Sequence, residues 1–344
     1  MPTTVVGVIS LGVLDQSPVP DGSTPADALA DTVALAQVAE RLGYRRYWVA
    51  EHHNTASLAS TAPEVLIAHL AARTASIRVG AGGVLLPHYS PLKVAEVFRT
   101  LHTLYPGRID LGIGRTAGAD AVAAAALAHG PGALGDEHHP DQVDDLVGFL
   151  HGRLRPDHPF ASVRAMPQGP GAPELWGLGS SSYGAALAAG TGLFFSFAHF
   201  ISPGHGPQLL ANYRRRFRPS QRCPEPRANV GVSVVCAETD AEAERLALSA
   251  DVWRLRPEGP ERGPLLSVED AEAVPLTPVE RVLLVQHRDR RVVGAPDRVR
   301  DRLLELAYTH DVDELVVLTV CHDLRARLRS YELLAEAFEL ERRP

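Results

Sequence analysis

At 344 residues and 45% hydrophobic content, the chain can bury one large core, so we expect residues 1–344 to form a single domain. The net charge of −7 and the lack of any basic run interleaved with aromatic residues argue against a nucleic-acid partner. Three widely spaced cysteines without a C-x-x-C pair argue against a disulfide framework and a zinc site. No apolar run reaches the length of a membrane span, which is about 20 residues. We therefore expect a cytoplasmic protein.

The first half of the chain alternates strand-like apolar runs with amphipathic helices. Residues 5–14 form an apolar run that glycine and serine interrupt, which predicts a strand rather than a signal peptide. A helix over 25–42 follows, with Thr24 as its capping residue and Pro25 at its first position. Three further units follow, each with a predicted strand and then a predicted helix. They are strand 47–50 with helix 62–74, strand 77–86 with helix 91–104, and strand 109–113 with helix 141–150.

The same alternation continues through the second half of the chain. Strands are predicted at 174–178, 193–197, 229–235 and 314–320, and helices at 182–189, 206–217, 241–255, 299–307 and 325–338. Eight strands alternating with helices predict an α/β fold, a (β/α)8 TIM barrel whose active site lies at the carboxyl ends of the strands. We expect residues 116–140 and 256–291 to be insertions in the βα loops that act as lid segments over this face.

The tetrapeptide Glu51-His52-His53-Asn54 follows the second predicted strand. Because side chains alternate along a strand, His52 and His53 point to opposite sides and only one can enter the barrel mouth. Adjacent histidines are poorly placed to share one ion and no H-E-x-x-H helix is present, so no metal site is predicted. The imidazoles could simply pack the strand end through hydrogen bonds, but the position at a strand end favours one of them as an acid, base or ligand contact.

A second group of small residues, Gly112-Ile113-Gly114-Arg115, follows the fourth predicted strand. Its spacing, G-x-G-x-x-x-G, departs from the dinucleotide-binding G-x-G-x-x-G and does not open the first βα unit, so it is weak support for a dinucleotide site. The glycines would let a ligand approach the backbone, and Arg115 offers a fork of donors suited to phosphate. The alternative for Arg115 is a surface salt bridge with a carboxylate.

A turn of three serines, Ser180-Ser181-Ser182, leads from the fifth predicted strand into a helix through Tyr183 and Gly184. The unpaired N–H groups and positive dipole end of a helix start, together with serine hydroxyls, predict an anion site. Ordinary capping by one serine is the alternative. Ser182 stands where the G-x-S-x-G nucleophile elbow needs glycine, which argues against a serine hydrolase.

The run Gly80-Ala81-Gly82-Gly83 lies in the middle of a predicted strand. Glycine weakens a strand interior unless the backbone bulges or passes close to a ligand. Both interpretations fit these residues equally well.

Taken together, these motifs resemble the bacterial luciferase-like flavin-dependent monooxygenases over nearly the whole chain. The resemblance is carried by E-H-H at 51–53, V-G-A-G-G-V-L-L-P at 79–87, S-P-L-K-V-A-E at 90–96, P-G-R-I-D-L-G-I-G-R at 106–115, L-G-S-S at 178–181 and S-Y-E-L-L-A-E at 330–336. Within the family, the chain is most similar to a branch found in actinobacterial natural-product pathways, which includes oxygenases that tailor aromatic polyketides. Gly114 replaces the cysteine that luciferases have just before the phosphate-binding arginine.

The resemblance implies roles for individual residues. The cofactor-binding residues would be Gly82, Gly83, Arg115, Ser180, Ser181, Ser182 and Gly184. Of these, Arg115 and the serine turn would hold the flavin phosphate, and Gly82-Gly83 would form a non-prolyl cis peptide behind the isoalloxazine ring. His52 would be the catalytic histidine near the reacting edge of the flavin.

The resemblance also implies a cofactor, a reaction and partners. Reduced FMN (FMNH2), supplied by a separate flavin reductase, would react with O2 to give a C4a-hydroperoxide that epoxidises or hydroxylates an organic substrate. The expected substrate is an aromatic polyketide-type natural product in antibiotic biosynthesis, and the expected assembly is a homodimer. The nearest alternative is hydride transfer with the deazaflavin F420 on the same fold, followed by a flavin-binding protein without turnover and a metal-dependent barrel hydrolase.

Overall fold

The computed structural model describes residues 9–115, 118–128, 136–220, 223–257, 259 and 262–343. Within these residues, nine strands pair in parallel and form one sheet that closes on itself. The strands are β1 Ser10–Asp15, β2 Arg46–Val49, β3 Arg78–Leu85, β4 Ile109–Gly114, β5 Glu174–Gly179, β6 Phe194–Ala198, β7 Ala228–Cys236, β8 Arg291–Gly294 and β9 Glu314–Leu318.

Helices alternate with these strands along the chain. They are α1 Pro25–Arg41, α2 Pro63–Arg73, α3 Pro91–Leu104, α4 Ala121–Leu127, α5 His139–His151, α6 Ser182–Thr191, α7 Gly206–Arg216, α8 Asp240–Arg254, α9 Val268–Ala273, α10 Pro278–Arg288, α11 Pro296–His310 and α12 Leu324–Ala337. Helix α1 begins as the sequence predicted: Thr24 and Asp27 form a reciprocal capping box, and Pro25 occupies the first position.

Eight of the nine strands form the closed barrel. Strands β1 to β7 follow one another around it, and β9 completes the circle by pairing with both β7 and β1. The prediction of an eight-stranded α/β barrel is therefore confirmed. Residues 5–8 of the first predicted strand lie outside the described residues.

The ninth strand, β8, lies beside the barrel rather than in it. Strand β7 is long enough for two partners, because Val230–Ser233 pairs with β9 and Ser233–Cys236 pairs with β8. Strand β8 was not predicted from the sequence, and the predicted irregular insertion ends at residue 291, where this strand begins. The described part of that insertion contains α9 and α10.

A buried ion network around Arg46 fills the amino-terminal end of the barrel. The Arg46 guanidinium contacts the carboxylates of Asp110 and Glu314, and all three side chains are almost fully buried. The indole Nε1 of Trp48 donates to Asp110 at 2.9 Å, and the guanidinium packs over the Trp176 ring at 4.8 Å. Since this end is packed with structural groups, the opposite end is where a ligand can enter.

A second buried ion pair ties the last helix to the first strand. Asp15 accepts hydrogen bonds from Arg327 at 2.6 Å, from the Tyr47 hydroxyl at 2.5 Å and from the Thr32 hydroxyl at 2.8 Å. Burial raises the pKa of the Asp15 carboxyl, but the Arg327 guanidinium and the hydroxyl donors outweigh burial, so the pKa is lowered overall.

We expect the stabilising contribution of the Asp15 carboxylate to disappear in acid. A carboxyl whose pKa is lower in the folded state stabilises the fold above its unfolded pKa of about 3.9, and this stabilisation is lost as the pH falls through the folded pKa. Urea unfolding of wild type and Asp15→Asn should give a constant difference in unfolding free energy above about pH 5 and a shrinking one below about pH 4. A difference that does not shrink on acidification contradicts an ionised Asp15.

Candidate active site

A cavity of about 640 Å³ opens at the carboxyl ends of the barrel strands. This volume suits a ligand of the size of a cofactor or a drug-like molecule. Seven of the eight predicted site residues line it: His52, Gly82, Gly83, Arg115, Ser180, Ser181 and Gly184. Ser182, the eighth, is the first residue of α6; it is exposed and lies outside the cavity lining.

The glycine floor of the cavity, which consists of Gly82 and Gly83 in β3, leaves no room for side chains. A Cβ atom on Gly83 would lie 2.6 Å from Leu178 Cδ1 and 2.7 Å from the Gly112 carbonyl oxygen, and one on Gly82 would lie 2.8 Å from Leu14 Cδ1. The Gly82–Gly83 peptide bond is cis, and the pairing register with β4 shifts across this segment. The floor therefore presents bare backbone to the cavity.

Arg115 and the serine turn form a candidate anion site on one side of the cavity. The Arg115 guanidinium stands over the Tyr183 ring, 4.5 Å from its centroid, at the start of α6. Ser181 occupies the N-cap position but makes no side-chain capping hydrogen bond. Simple capping therefore does not account for the serines, and their hydroxyls can serve a ligand at the positive end of this helix.

The two adjacent histidines, which follow the end of β2 at Val49, have separate environments. His52 lines the cavity, and its backbone N–H donates to the Ser60 carbonyl at 3.0 Å. His53 instead places its Nε2 2.8 Å from the Glu51 carboxylate and meets the His88 ring edge-on. Of these two histidines, His52 is the one that lines the described cavity.

Glu51 joins the ends of β2 and β3, a function that the sequence analysis did not assign to it. Its carboxylate is buried and accepts hydrogen bonds from the Leu85 backbone N–H at 2.9 Å and the Tyr89 hydroxyl at 2.8 Å. Burial and the neighbouring Glu51 charge raise the pKa of Tyr89, so Tyr89 stays a hydrogen-bond donor. The position of Glu51 at a strand end could have indicated a functional residue. Its partners, Leu85 and Tyr89, are distant in sequence and so could not be predicted.

A group of basic residues that was not predicted from the sequence lies on the β7–β8 side of the cavity. We call this group the basic wall; its members are Arg254, Arg262, His287, Arg290 and Arg291, all of which line the cavity. The aromatic side chains of Phe200 and Trp253 also line the cavity, and the Arg262 guanidinium lies 4.6 Å from the centroid of the Trp253 ring. No local motif marks these residues in the sequence.

The described residues show neither a metal centre nor a membrane-spanning helix. No three or more His, Cys, Asp or Glu side chains there gather closely enough to hold a metal ion. No described helix has the length and apolar character that crossing a bilayer requires.

Comparison with known proteins gives full-length matches. A family model described as luciferase-like monooxygenase matches residues 9–312. YceB of Bacillus subtilis is 46% identical over 331 residues, which is 96% of this chain and 100% of YceB. N-acetyl-S-alkylcysteine monooxygenase of the same species is 35% identical over 332 residues, 96% of this chain and 98% of that protein. The crystal structure of apo-MsnO8 is 44% identical, covers 97% of this chain and 100% of its own, and has a TM-score of 0.87.

Two solved structures of lower identity share the fold alone. The oxygenating constituent of 3,6-diketocamphane monooxygenase from Pseudomonas putida, in complex with FMN, is 20% identical with a TM-score of 0.69 and covers 95% of this chain and 97% of its own. An F420-dependent secondary alcohol dehydrogenase in complex with an F420-acetone adduct is 14% identical with a TM-score of 0.70 and covers 96% and 99%. Because the family model spans most of the chain and full-length relatives exceed 30% identity, the chain belongs to the luciferase-like monooxygenase family.

Proposed function

We propose that this chain is a two-component monooxygenase that uses reduced FMN and O2 to epoxidise or hydroxylate an organic substrate. The observation that carries the proposal is the convergence of three groups on one cavity. An anion site at Arg115 suits the flavin phosphate, the glycine floor suits a flat ring, and His52 suits proton transfer. The matched family is itself described by its monooxygenase activity.

The donor set fits a phosphate ester. Arg115 supplies a planar, permanently charged fork, Ser180 and Ser181 supply hydroxyls, and the start of α6 supplies backbone N–H groups near Gly184. These groups lie on neighbouring βα connections, because β4 pairs directly with β5. A dianionic phosphate would therefore be bound from two sides.

The glycine floor fits the ring of the same cofactor. Side chains at 82 and 83 would collide with neighbouring atoms, so the surface at this position is flat backbone. When bound, reduced flavin supplies the two electrons with which one atom of O2 enters the substrate and the other leaves as water. His52 would hold or move the proton that this exchange needs.

Residues of the two predicted lid segments contribute to the same cavity. Gly118 of segment 116–140 lines it, as do Arg262, His287 and Arg290 of segment 256–291. Asp120 accepts a hydrogen bond from Asn54 at 2.6 Å and so ties the described part of the first segment to the loop that carries His52. We propose that both segments keep water from the reacting atoms.

Two substrate classes follow from the lining and the relatives. The aromatic rings of Trp48, Phe200 and Trp253 favour an apolar or aromatic body, which agrees with the aromatic polyketide proposed from the sequence. The relative named N-acetyl-S-alkylcysteine monooxygenase adds a second candidate, oxygenation of a thioether. Product analysis with a panel of aromatic and thioether substrates, in the presence of a flavin reductase, separates the two.

The decisive experiment compares reduced FMN with reduced F420. We expect an anaerobic titration to show saturable binding of reduced FMN, and admission of O2 to give oxygen consumption and, with substrate, an oxygenated product. Binding of F420 with hydride transfer and no use of O2 would replace this proposal by the F420 alternative. Binding of FMN without turnover on any substrate of the panel would favour a flavin-binding protein. Light scattering would separately test the proposed homodimer.

We predict that Arg115→Ala weakens binding of reduced FMN by about 100-fold. A hydrogen bond to a charged group is worth about 1.5–3 kcal/mol, and the upper part of this range corresponds to such a loss of affinity. Binding of riboflavin, which has no phosphate, should stay nearly unchanged. Fluorescence titration of both flavins measures the difference, with Arg300→Ala on the exposed side of α11 as the matched control. An equal loss for riboflavin and FMN would contradict a phosphate-binding Arg115.

A further inference from the structure

The lining of the cavity contains more arginines than carboxylates. Among the described residues that line the cavity, five are arginines and a single one, Glu51, is a carboxylate. Glu51 is already engaged by Leu85, Tyr89 and His53. Cationic side chains therefore outnumber anionic ones in the described lining.

Arg115 and the basic wall occupy different parts of the cavity. Arg115 follows β4, whereas Arg254 ends α8 after β7 and Arg291 begins β8. Strands β5 and β6 lie between β4 and β7 in the barrel. The basic wall is thus a second cationic region, apart from the one proposed to hold the cofactor phosphate.

Within the wall, Arg291 is a structural residue and Arg254 is not. Arg291 forms ion pairs with Asp251 at 2.8 Å and Glu244 at 3.0 Å. In the described structure, the guanidinium of Arg254 makes one hydrogen bond, to the Ser233 hydroxyl at 3.3 Å, and no ion pair. Arg254 therefore keeps most of its donors available to a ligand.

The electrostatics of the wall agree with an anion-binding role. Burial lowers the pKa of Arg254, and neighbouring Arg291, Arg262 and Arg290 lower it further, against the attraction of Asp251. Burial also lowers the pKa of His287, and Arg290 and Arg254 add to the effect. Positive charges crowded in this way are relieved when an anion binds between them.

The surroundings of Arg254 define the rest of the ligand. Trp253, Phe200, Val316 and Leu318 line the cavity on the same side of the barrel. A ligand that satisfies both surfaces has an apolar body that ends in a negative group.

We propose that the basic wall binds the carboxylate of an organic acid substrate through Arg254, with Arg290 at the exposed rim, and so selects anionic over neutral substrates. This inference rests on the proposed function, because it assigns the substrate class of the same cavity. It makes Arg254 a specificity-determining residue rather than a participant in oxygen transfer.

The test measures equilibrium binding without turnover, in the absence of reductant. The probes are N-acetyl-S-benzylcysteine and its primary amide, which share an apolar thioether body and differ by one charge. Calorimetry should show the acid binding to wild type about tenfold more tightly than the amide. Arg254→Met should remove most of this preference by weakening acid binding, while binding of the amide and of FMN stays unchanged.

Three controls keep the result interpretable. Arg290→Met, at an exposed position, should reduce the preference in part without risk to the fold, Arg254→Lys should retain part of it, and Arg300→Met should leave it intact. Thermal unfolding checks that each variant is folded. Equal binding of acid and amide to wild type, or a preference that survives both Arg254→Met and Arg290→Met, overturns the inference. A preserved acid preference together with no response to FMN and O2 would overturn the proposed function alone.

Discussion

Replacing His52 with alanine is expected to lower kcat for substrate oxygenation by about 100-fold to 10,000-fold, the usual contribution of a positioned acid or base. His52 lines the cavity together with the glycine floor and Arg115, so its imidazole lies where a proton must be held or moved. Affinity for reduced FMN should change little, because Arg115 and the serine turn, rather than His52, are proposed to bind the phosphate. Stopped-flow single turnover with pre-bound reduced FMN, O2 and substrate measures the chemical step apart from binding.

His53 provides the matched control, since it is the same residue type one position along the chain. Its Nε2 contacts Glu51 at 2.8 Å, and it does not line the described cavity. We expect His53→Ala to reduce kcat by less than about tenfold, through a small disturbance of Glu51. Equal kcat values for wild type and His52→Ala would contradict an acid–base role for His52.

Replacing Arg46 with methionine is expected to lower the free energy of unfolding by about 3–5 kcal/mol, the usual cost of removing one partner of a buried ion pair. Methionine fills similar space, but the Asp110 and Glu314 carboxylates would remain buried without their shared cation. Urea unfolding followed by circular dichroism measures the loss.

Arg78 provides the control for Arg46, because it contacts the same Asp110 carboxylate from a more exposed position. Its side chain is 20% exposed, against 0% for Arg46, so water can replace part of the lost interaction. We expect Arg78→Met to cost about 1 kcal/mol. Equal losses for Arg46→Met and Arg78→Met would show that burial does not set the strength of this network.

Much of the barrel and of the candidate site could be predicted because the signals are local. Apolar runs separated by capping residues and prolines identify the strands and helices, and the topology of an α/β barrel then brings all strand ends to one face. The serine turn and the glycine floor are each contiguous in sequence. Their convergence with Arg115 in one cavity therefore follows from the fold class.

The basic wall could not be predicted in this way. Arg254 ends α8 and Arg291 begins β8, and they meet only because β8 pairs with the end of β7. The strand directly follows a charged run, Arg288-Asp289-Arg290, and its first residue was assigned to the irregular insertion. The partners of Glu51 were missed for the same reason, since Tyr89 reaches it from the segment after β3.

The contact surface at positions 82 and 83 is made of main chain, which affects how a mutational map of this protein should be interpreted. Alanine scanning finds functional positions by deleting atoms, and here there are none beyond the backbone to delete. Adding a single methyl group is the informative change, since at residue 83 it would come within 2.7 Å of the Gly112 carbonyl oxygen. A survey that only truncates side chains would record the flattest part of this pocket as silent.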